Sequence, residues 1–369
     1  MMKRIFVVPA MLAVLNLCAC GGGSAKVTPT PPVQPTLPTY TQNVTTTSDW
    51  METQQLSDGA IKYSATEIEP YFANLGATGW LSDPTKIPQV EAWMQWYVNH
   101  LNSPDYNGLN GTVYDYSLNG TTETSSVTYD SADSYAATFL SLAEALWNTG
   151  DSGAHTFIQT TIGESKFLVI ASVIPQLQQP NGLVFSRPDY QIEYLMDNTE
   201  DYRGLTDFAN LATQAWNDTA STASYTASAA KIQSGIQNVL FIPSSGLYYT
   251  SFGAPAPNLS TWYPDAVAQI FPIANGVIAP TSTQATAVYT AFNDAWPKWP
   301  ELSFSSQDAS PWCEAGYAAY LMGDTTSTNS YLISIQNAYL NANPSFPWPF
   351  IDSEAGWFMR TNAGMETLK

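Results

Sequence analysis

A helical unit that recurs with an acid at its second helix constrains this chain more than any other feature. Across residues 131–148 the apolar positions Ala132, Tyr135, Ala136, Phe139, Leu142, Ala143 and Leu146 step by three and four, the period of one buried helical face. The same period predicts helices over 156–179, 197–217, 227–241, 264–275, 283–296, 311–322 and 331–340. Short extended pieces interrupt them. Residues 182–185 follow the Asn181-Gly182 turn and are expected to pair with 190–195, and residues 247–250 follow Ser245-Gly246. Acids mark the second helices at Asp133, Asp197, Asp265 and Glu314, at intervals of 64, 68 and 49 residues. Those intervals exceed the roughly 34 to 47 residues of common solenoid repeats. They suit a helical hairpin with a functional loop at one end, and five or six such hairpins fill the chain. The expected fold is all-α.

The N-terminus reads as an address. Lys3 and Arg4 precede an apolar run over 5–17 that is too short to span a bilayer and is built like a signal peptide. The run ends in Leu17-Cys18-Ala19-Cys20-Gly21, which resembles the bacterial lipobox. Residues 1–19 are therefore expected to be a lipoprotein signal peptide and Cys20 the lipid anchor, with Gly21 favouring the outer membrane; a secretory cut after Ala19 is the alternative. Residues 20–48 are rich in Gly, Ser, Thr and Pro and read as a flexible tether, with the folded domain over 49–369. Cys18 and Cys20 belong to the leader, which leaves Cys313 without a partner. No disulfide framework is available, and the core must hold the domain.

Charged residues make up 12% of the chain, against a norm of about 25%, and the net charge is -19. Polarity comes mainly from hydroxyls and amides, which suits a glycan-facing protein. So negative a field repels nucleic acid and anionic lipid, which leaves the lipid on Cys20 as the membrane contact. It also disfavours a strongly anionic polysaccharide, unless Arg187, Arg203 or Arg360 lines the groove. Neutral or amine-bearing sugars, bound by a monomer, fit better.

Three stretches carry a resemblance: Val127-Thr128-Tyr129-Asp130-Ser131-Ala132-Asp133, Tyr194-Leu195-Met196-Asp197-Asn198-Thr199-Glu200-Asp201-Tyr202-Arg203-Gly204, and Trp262-Tyr263-Pro264-Asp265-Ala266. Each is similar to a junction between loop and inner helix in the six-hairpin glycosidase superfamily, and the resemblance spans about residues 60–362. It implies an (α/α) toroid, with short β-hairpin excursions at the groove end and the substrate groove at the N-termini of the inner helices. It does not select a glycoside hydrolase family.

Glycosidic hydrolysis needs a proton donor and a second carboxylate. Asp130 and Asp133 open one helix, Asp197, Glu200 and Asp201 the next, and Asp265 and Glu314 two more. Asp130-x-x-Asp133 and Asp197-x-x-Glu200 read equally well as capping patterns. Asp201 falls beyond the box, and Ser310-Pro311 already supplies a cap and a first residue for the helix of Glu314. Asp133 and Asp201 are accordingly the first choices for acid and base. Tyr129, Tyr202, Trp262, Tyr263 and Trp312 crowd the same junctions, as do Tyr135 and Tyr194, either as sugar platforms or as core. Arg187 and Arg203 either clamp substrate or pair with nearby acids.

Other chemistry lacks its residues. His100 and His155 stand apart without a second ligand at metal spacing, so neither a metal nor a cofactor is expected. No Gly-rich phosphate loop and no Gly-x-Ser-x-Gly elbow occurs. Three further functions remain: a non-catalytic polysaccharide-binding lipoprotein acting in export or attachment, a lyase using Tyr202 and Arg203, and a purely structural lipoprotein.

Overall fold

The computed structural model describes residues 39–341 and 346–368. The leader, Cys20 and residues 20–38 of the expected tether lie outside the described residues. Six hairpins follow one another, each an outer helix and then an inner one. They are α1 (Tyr40–Gln54) with α2 (Pro70–Trp80), and α3 (Ile87–Asn99) with α4 (Ala132–Trp147). An outer arm of α5 (Ser152–Thr156), α6 (Glu164–Ala171) and α7 (Val173–Leu177) leads to α8 (Leu195–Leu211). Then come α9 (Thr219–Gly235) with α10 (Phe271–Ala274), α11 (Thr283–Ala295) with α12 (Cys313–Leu321), and α13 (Thr325–Ile335) with α14 (Asp352–Glu366).

The inner helices form a closed ring. Helix α2 packs on α4, α4 on α8, α8 on α10, α10 on α12, α12 on α14, and α14 returns to α2. The expected all-α (α/α) toroid is the observed fold.

Glycines set the closest approaches in this ring. A Cβ on Gly79 would lie 2.0 Å from the carbonyl oxygen of Gly356, and one on Gly356 would lie 2.2 Å from that of Leu75. The first and last hairpins therefore meet backbone to backbone, a distance that only residues without a side chain permit. Gly204 plays the same part between α8 and α4, where a Cβ would meet the Ala137 oxygen at 2.5 Å.

The folded body starts nine residues before the expected boundary at Asp49. Helix α1 begins at Tyr40 and buries Tyr40, Asn43, Val44, Thr47, Ser48 and Met51 along one face. Half of that face is polar, which hides it from a hydrophobicity pattern. Its polar half is held by hydrogen bonds: Asn43 Nδ2 donates to Asn362 Oδ1 at 2.9 Å, and Trp80 Nε1 donates to Ser48 Oγ at 3.0 Å.

The excursions lie where outer helices hand over to inner ones. Strands β1 (Glu67–Ile68), β2 (Tyr116–Asn119) and β3 (Thr122–Ser125) form an antiparallel sheet in that order, with Tyr116 opposite Ser125. Strand β4 (Phe241–Ile242) pairs with β5 (Leu247–Tyr248). The expected pairing of 182–185 with 190–195 does not form, because 183–185 pairs back onto residues 177–179 instead. Val184 bridges to Gln178, and Tyr194 bridges to Ser251, while Ser186 N donates to Ile192 O at 3.0 Å. The third outer helix, expected over 156–179 with a kink or end near Pro175, breaks earlier at Gly163 (φ 80°), and its arm packs on α4.

Candidate functional site

Side-chain capping sets four of the outer helices apart from the inner ones. Side chains cap the outer helices α5, α9, α11 and α13, where Asp151, Asp218, Ser282 and Asp324 accept from the first-turn N–H groups. None of the residues preceding the inner helices does so: Glu69, Ser131, Tyr194, Trp312 and Ile351 make no side-chain cap. Acids crowd these uncapped starts nevertheless. Glu69 precedes α2, Asp133 is in the first turn of α4, Asp197 in that of α8, Glu314 in that of α12, and Asp352 and Glu354 in that of α14. Asp265 leads the turn into α10. The helix dipoles favour acids here, but no inner N-cap depends on them.

The capping expected of Asp130 and Asp197 is therefore not realised. Ser131 is the residue at the start of α4, Asp130 is exposed, and Asp197 sits inside the first turn of α8. The expected cap at Ser310-Pro311 is also absent. Helix α12 begins at Cys313, and Glu354 reaches across from α14 to accept from the N–H groups of Trp312 (3.2 Å) and Cys313 (2.6 Å).

Asp133 and Asp201 lie side by side at zero exposure. Ser131 Oγ and Ser134 N donate to Asp133 Oδ1, and the Asp133 and Asp201 carboxyls are in hydrogen-bonding contact with each other. Asp133 Oδ2 and both Asp201 oxygens have no other partner. Burial raises Asp133 to about 6, and it holds Asp201 well above the carboxylate range, with the Asp133 charge adding to the effect. Both residues are enclosed within the ring and do not reach its surface. Glu314 is likewise buried and raised by burial, then by Glu200, against the opposing pull of Arg360.

Glu200 is buried beneath the rim, raised by burial to about 8, and accepts from Tyr71 Oη at 2.7 Å. Asp197 lies one turn above it, partly exposed, with Ser131 Oγ 3.4 Å from its Oδ2. Burial, then the charges of Asp133, Glu200 and Asp130, hold the Asp197 carboxyl well above its ordinary range. Among the carboxylates expected from the sequence, Asp197 combines partial exposure with a raised proton affinity. Asp130 is exposed and Asp265 partly so.

The aromatic expectations divide. Trp262 has zero exposure and stacks on Phe304 at 3.9 Å, so it is core. Tyr129 is 1% exposed and donates to Asp105 Oδ2 at 2.8 Å, and Tyr202 packs against the core. Tyr263, in contrast, is 53% exposed and stacks on Trp312 at 5.2 Å, a platform held by the bond from Trp312 Nε1 to Asp308 Oδ2 at 3.1 Å. Arg187 donates to Tyr129 O at 2.6 Å and pairs with Asp189 at 3.3 Å. Arg203 pairs with Asp207 at 2.6 Å inside the ring, in a cavity that Glu200, Trp357 and Arg360 also line. Both arginines are committed to acids or backbone. His100 and His155 stack on Trp96 and Trp147 and bond to the carbonyl oxygens of those same residues. Among the described residues no group of three His, Cys, Asp or Glu side chains is arranged to hold a metal ion.

Sequence reasoning missed Glu69, Asp115, Asp352 and Glu354. Glu69 is partly exposed, and burial followed by the charges of Asp115, Glu67 and Asp130 raises it to about 8. Asp115 is raised by burial to about 6 and accepts from Tyr135 Oη at 2.7 Å. Asp352 has zero exposure, with Oδ2 unpartnered. Pro70 at the first position of α2 marks the helix that follows Glu69.

This ring of uncapped acidic helix starts inside a closed double layer of helices defines the six-hairpin α/α-toroid class of fold. Solved structures agree. A wild-type glycosidase superposes with a TM-score of 0.62 at 12% identity, over 88% of this chain and 96% of its own. The GH63 mannosylglycerate hydrolase of Thermus thermophilus, in complex with glucose, gives 0.58 at 8% identity, over 87% and 99%. A rhamnosidase from Klebsiella oxytoca with rhamnose bound gives 0.56 at 11% identity, over 89% and 64%. No family model matches the sequence, and the search of curated proteins found no match.

Proposed function

We propose that this protein is a glycoside hydrolase that cleaves a polysaccharide at the rim formed by the N-termini of its inner helices. The observation that carries this reading is Asp197, a partly exposed carboxyl at the start of α8 whose proton affinity is raised well above the ordinary range by burial and then by the charges of Asp133, Glu200 and Asp130. A general acid needs that pairing of access and proton affinity. Asp197 donates its proton to the glycosidic oxygen as the bond breaks. Asp130, exposed and close enough for its charge to act on Asp197, is the second carboxylate, serving as base or nucleophile. The Tyr263–Trp312 stack offers a flat apolar face for a sugar ring. The fold is that of proteins solved as glycosidases, which supports the same reading.

The lyase alternative loses support, because Tyr202 packs inward and Arg203 is held by Asp207. The carrier alternative keeps the groove but assigns no proton transfer. Asp197→Asn separates the two: a hydrolase loses reducing-end release and keeps binding, whereas a carrier is unchanged. We further propose that the protein works at the cell envelope, attached through lipid on Cys20; labelling with a radioactive fatty acid that persists in Cys20→Ala rejects that anchor.

A further inference from the structure

We propose that exposed rings around this rim form a row of sugar subsites on both sides of Asp197, so that the protein takes up an internal stretch of a glycan chain rather than a chain end. The inference rests on the reading of the rim as a glycan site and deepens it. Among the described residues eight large hydrophobic side chains are exposed, and six of them, Tyr106, Val127, Tyr190, Phe252, Tyr263 and Trp348, lie in segments that carry an outer helix into an inner one. Those segments all open on the N-terminal end of the inner ring. None of the eight lies in a segment running from an inner helix to the next outer one. Single exposed apolar side chains scattered over a surface need no explanation, but five aromatic rings, each between 42% and 65% exposed and all at one end, mark the face that a ligand covers.

Bonds between neighbouring segments hold most of these rings in one row. Tyr106 Oη donates to Asp189 Oδ1 at 3.4 Å and Asn107 Nδ2 donates to the same oxygen at 3.2 Å, which joins the second hairpin to the third. The Tyr190 and Tyr194 hydroxyls bond at 3.0 Å, and Phe252 N donates to Glu193 O at 3.0 Å, which joins the third hairpin to the fourth. Tyr263 then stacks on Trp312 of the fifth. Helix α8 stands between α4 and α10 in the ring, so Tyr106 lies to one side of Asp197 and the Tyr263–Trp312 stack to the other. Burial, then the charge of Asp197, raises the Tyr263 hydroxyl, which places that ring beside the acid. Hydroxyl, amide and carboxylate groups alternate with the rings, a pattern that suits the apolar faces and hydroxyl edges of successive sugars better than a wholly apolar partner. A pocket for a chain end needs a wall beyond the acid, and here the rings continue past it in both directions. Where Asp197 cuts, it therefore cuts within the chain.

The test is calorimetric titration of the full protein with malto-, cello-, xylo-, manno- and chitosan oligosaccharides of increasing length, up to heptamers, followed by size analysis of the products from the matching polysaccharides. In at least one series, affinity is expected to rise about tenfold between trimer and hexamer, and a heptamer blocked at its non-reducing end is expected to bind about as tightly as the unblocked one. Tyr106→Ala is expected to lower heptamer affinity about fivefold more than trimer affinity, a length dependence that a merely structural role would not give. Fragments of intermediate length are expected to precede single sugars among the products. Affinity that stops rising at the trimer, loss of binding when the chain end is blocked, or no binding in any series overturns the inference. Release of terminal sugars alone would overturn it and leave the hydrolase reading standing. Length-dependent binding of blocked heptamers with no cleavage of any polysaccharide would uphold the subsites and overturn the hydrolase reading.

Discussion

Tyr71 of the first inner helix donates its hydroxyl proton to Glu200 Oε1 of the third, at 2.7 Å, across the second inner helix between them. The bond ties the floor of the acidic rim to the first hairpin, and it is the contact that most lowers an otherwise raised Glu200. Tyr71→Phe leaves a buried acceptor unpaired, which costs about 1–3 kcal/mol. Chemical denaturation is expected to show that loss. An unchanged midpoint would mean that the bond contributes nothing.

Asp197 must be protonated to act as acid. Its folded-state proton affinity is raised, so activity is expected to persist at pH values well above the ordinary carboxyl range near 4 and to fall as pH rises through the Asp197 titration. The alkaline limb of the pH–rate profile measures this. A limb confined to acidic pH contradicts the assignment.

Stability should move with pH in the same sense. Burial raises Glu69 and Glu200 to about 8 and Glu354 to about 7, above the roughly 4.3 of an unfolded glutamate. Between those values the folded chain holds more protons than the unfolded one, and it loses stability as pH climbs from about 4.5 to about 8. Glu52 and Asp218 are lowered, but they lie near the surface, where solvent screens them. Melting at a lower temperature at pH 8 than at pH 5 is the expected outcome, and the reverse order would show that the buried acids are ionised.

Ring closure depends on Gly79 and Gly356, which leave no room for a methyl group. Gly356→Ala is expected to destabilise the protein by about 3 kcal/mol or more, at the upper end of overpacking costs. A melting curve like that of wild type would mean that α2 and α14 can separate freely.

The middle of the chain was legible because its inner helices are apolar and regular; α4 is expected over 131–148 and observed as Ala132–Trp147. The ends were not. Helix α1 buries Asn43 and Ser48 through specific hydrogen bonds, and α14 opens on Asp352, Ser353 and Glu354, so polar residues interrupt the apolar stripe that a periodic pattern detects. The candidate site was legible as a set of junctions but not in its roles. Asp201 looked functional because it fell beyond the capping pattern, and Asp133 was chosen beside it, yet both have zero exposure in the core. Trp262 looked like a loop aromatic, yet it stacks on Phe304, because residues 303–306 fold back over it. Burial of that kind is set by distant segments that local spacing cannot report.

Tyr263 and Trp312 present their stack at the rim, and the fold does not depend on its exposed face. Tyr263→Ala is expected to weaken oligosaccharide binding about tenfold, or about 1.4 kcal/mol, with little change in melting temperature. Equal binding would move the sugar platform elsewhere.

The most direct test of the central claim is reducing-end release from a panel of amine-bearing, acetylated and neutral polysaccharides by wild type, Asp197→Asn and Asp201→Asn. Cleavage by wild type is expected, with a loss of about 10²- to 10⁴-fold in Asp197→Asn while binding is kept. Asp201→Asn, altered in the core, should retain activity. Cleavage that survives in Asp197→Asn, or a wild-type protein that binds a glycan of the panel without cutting it, would contradict the account.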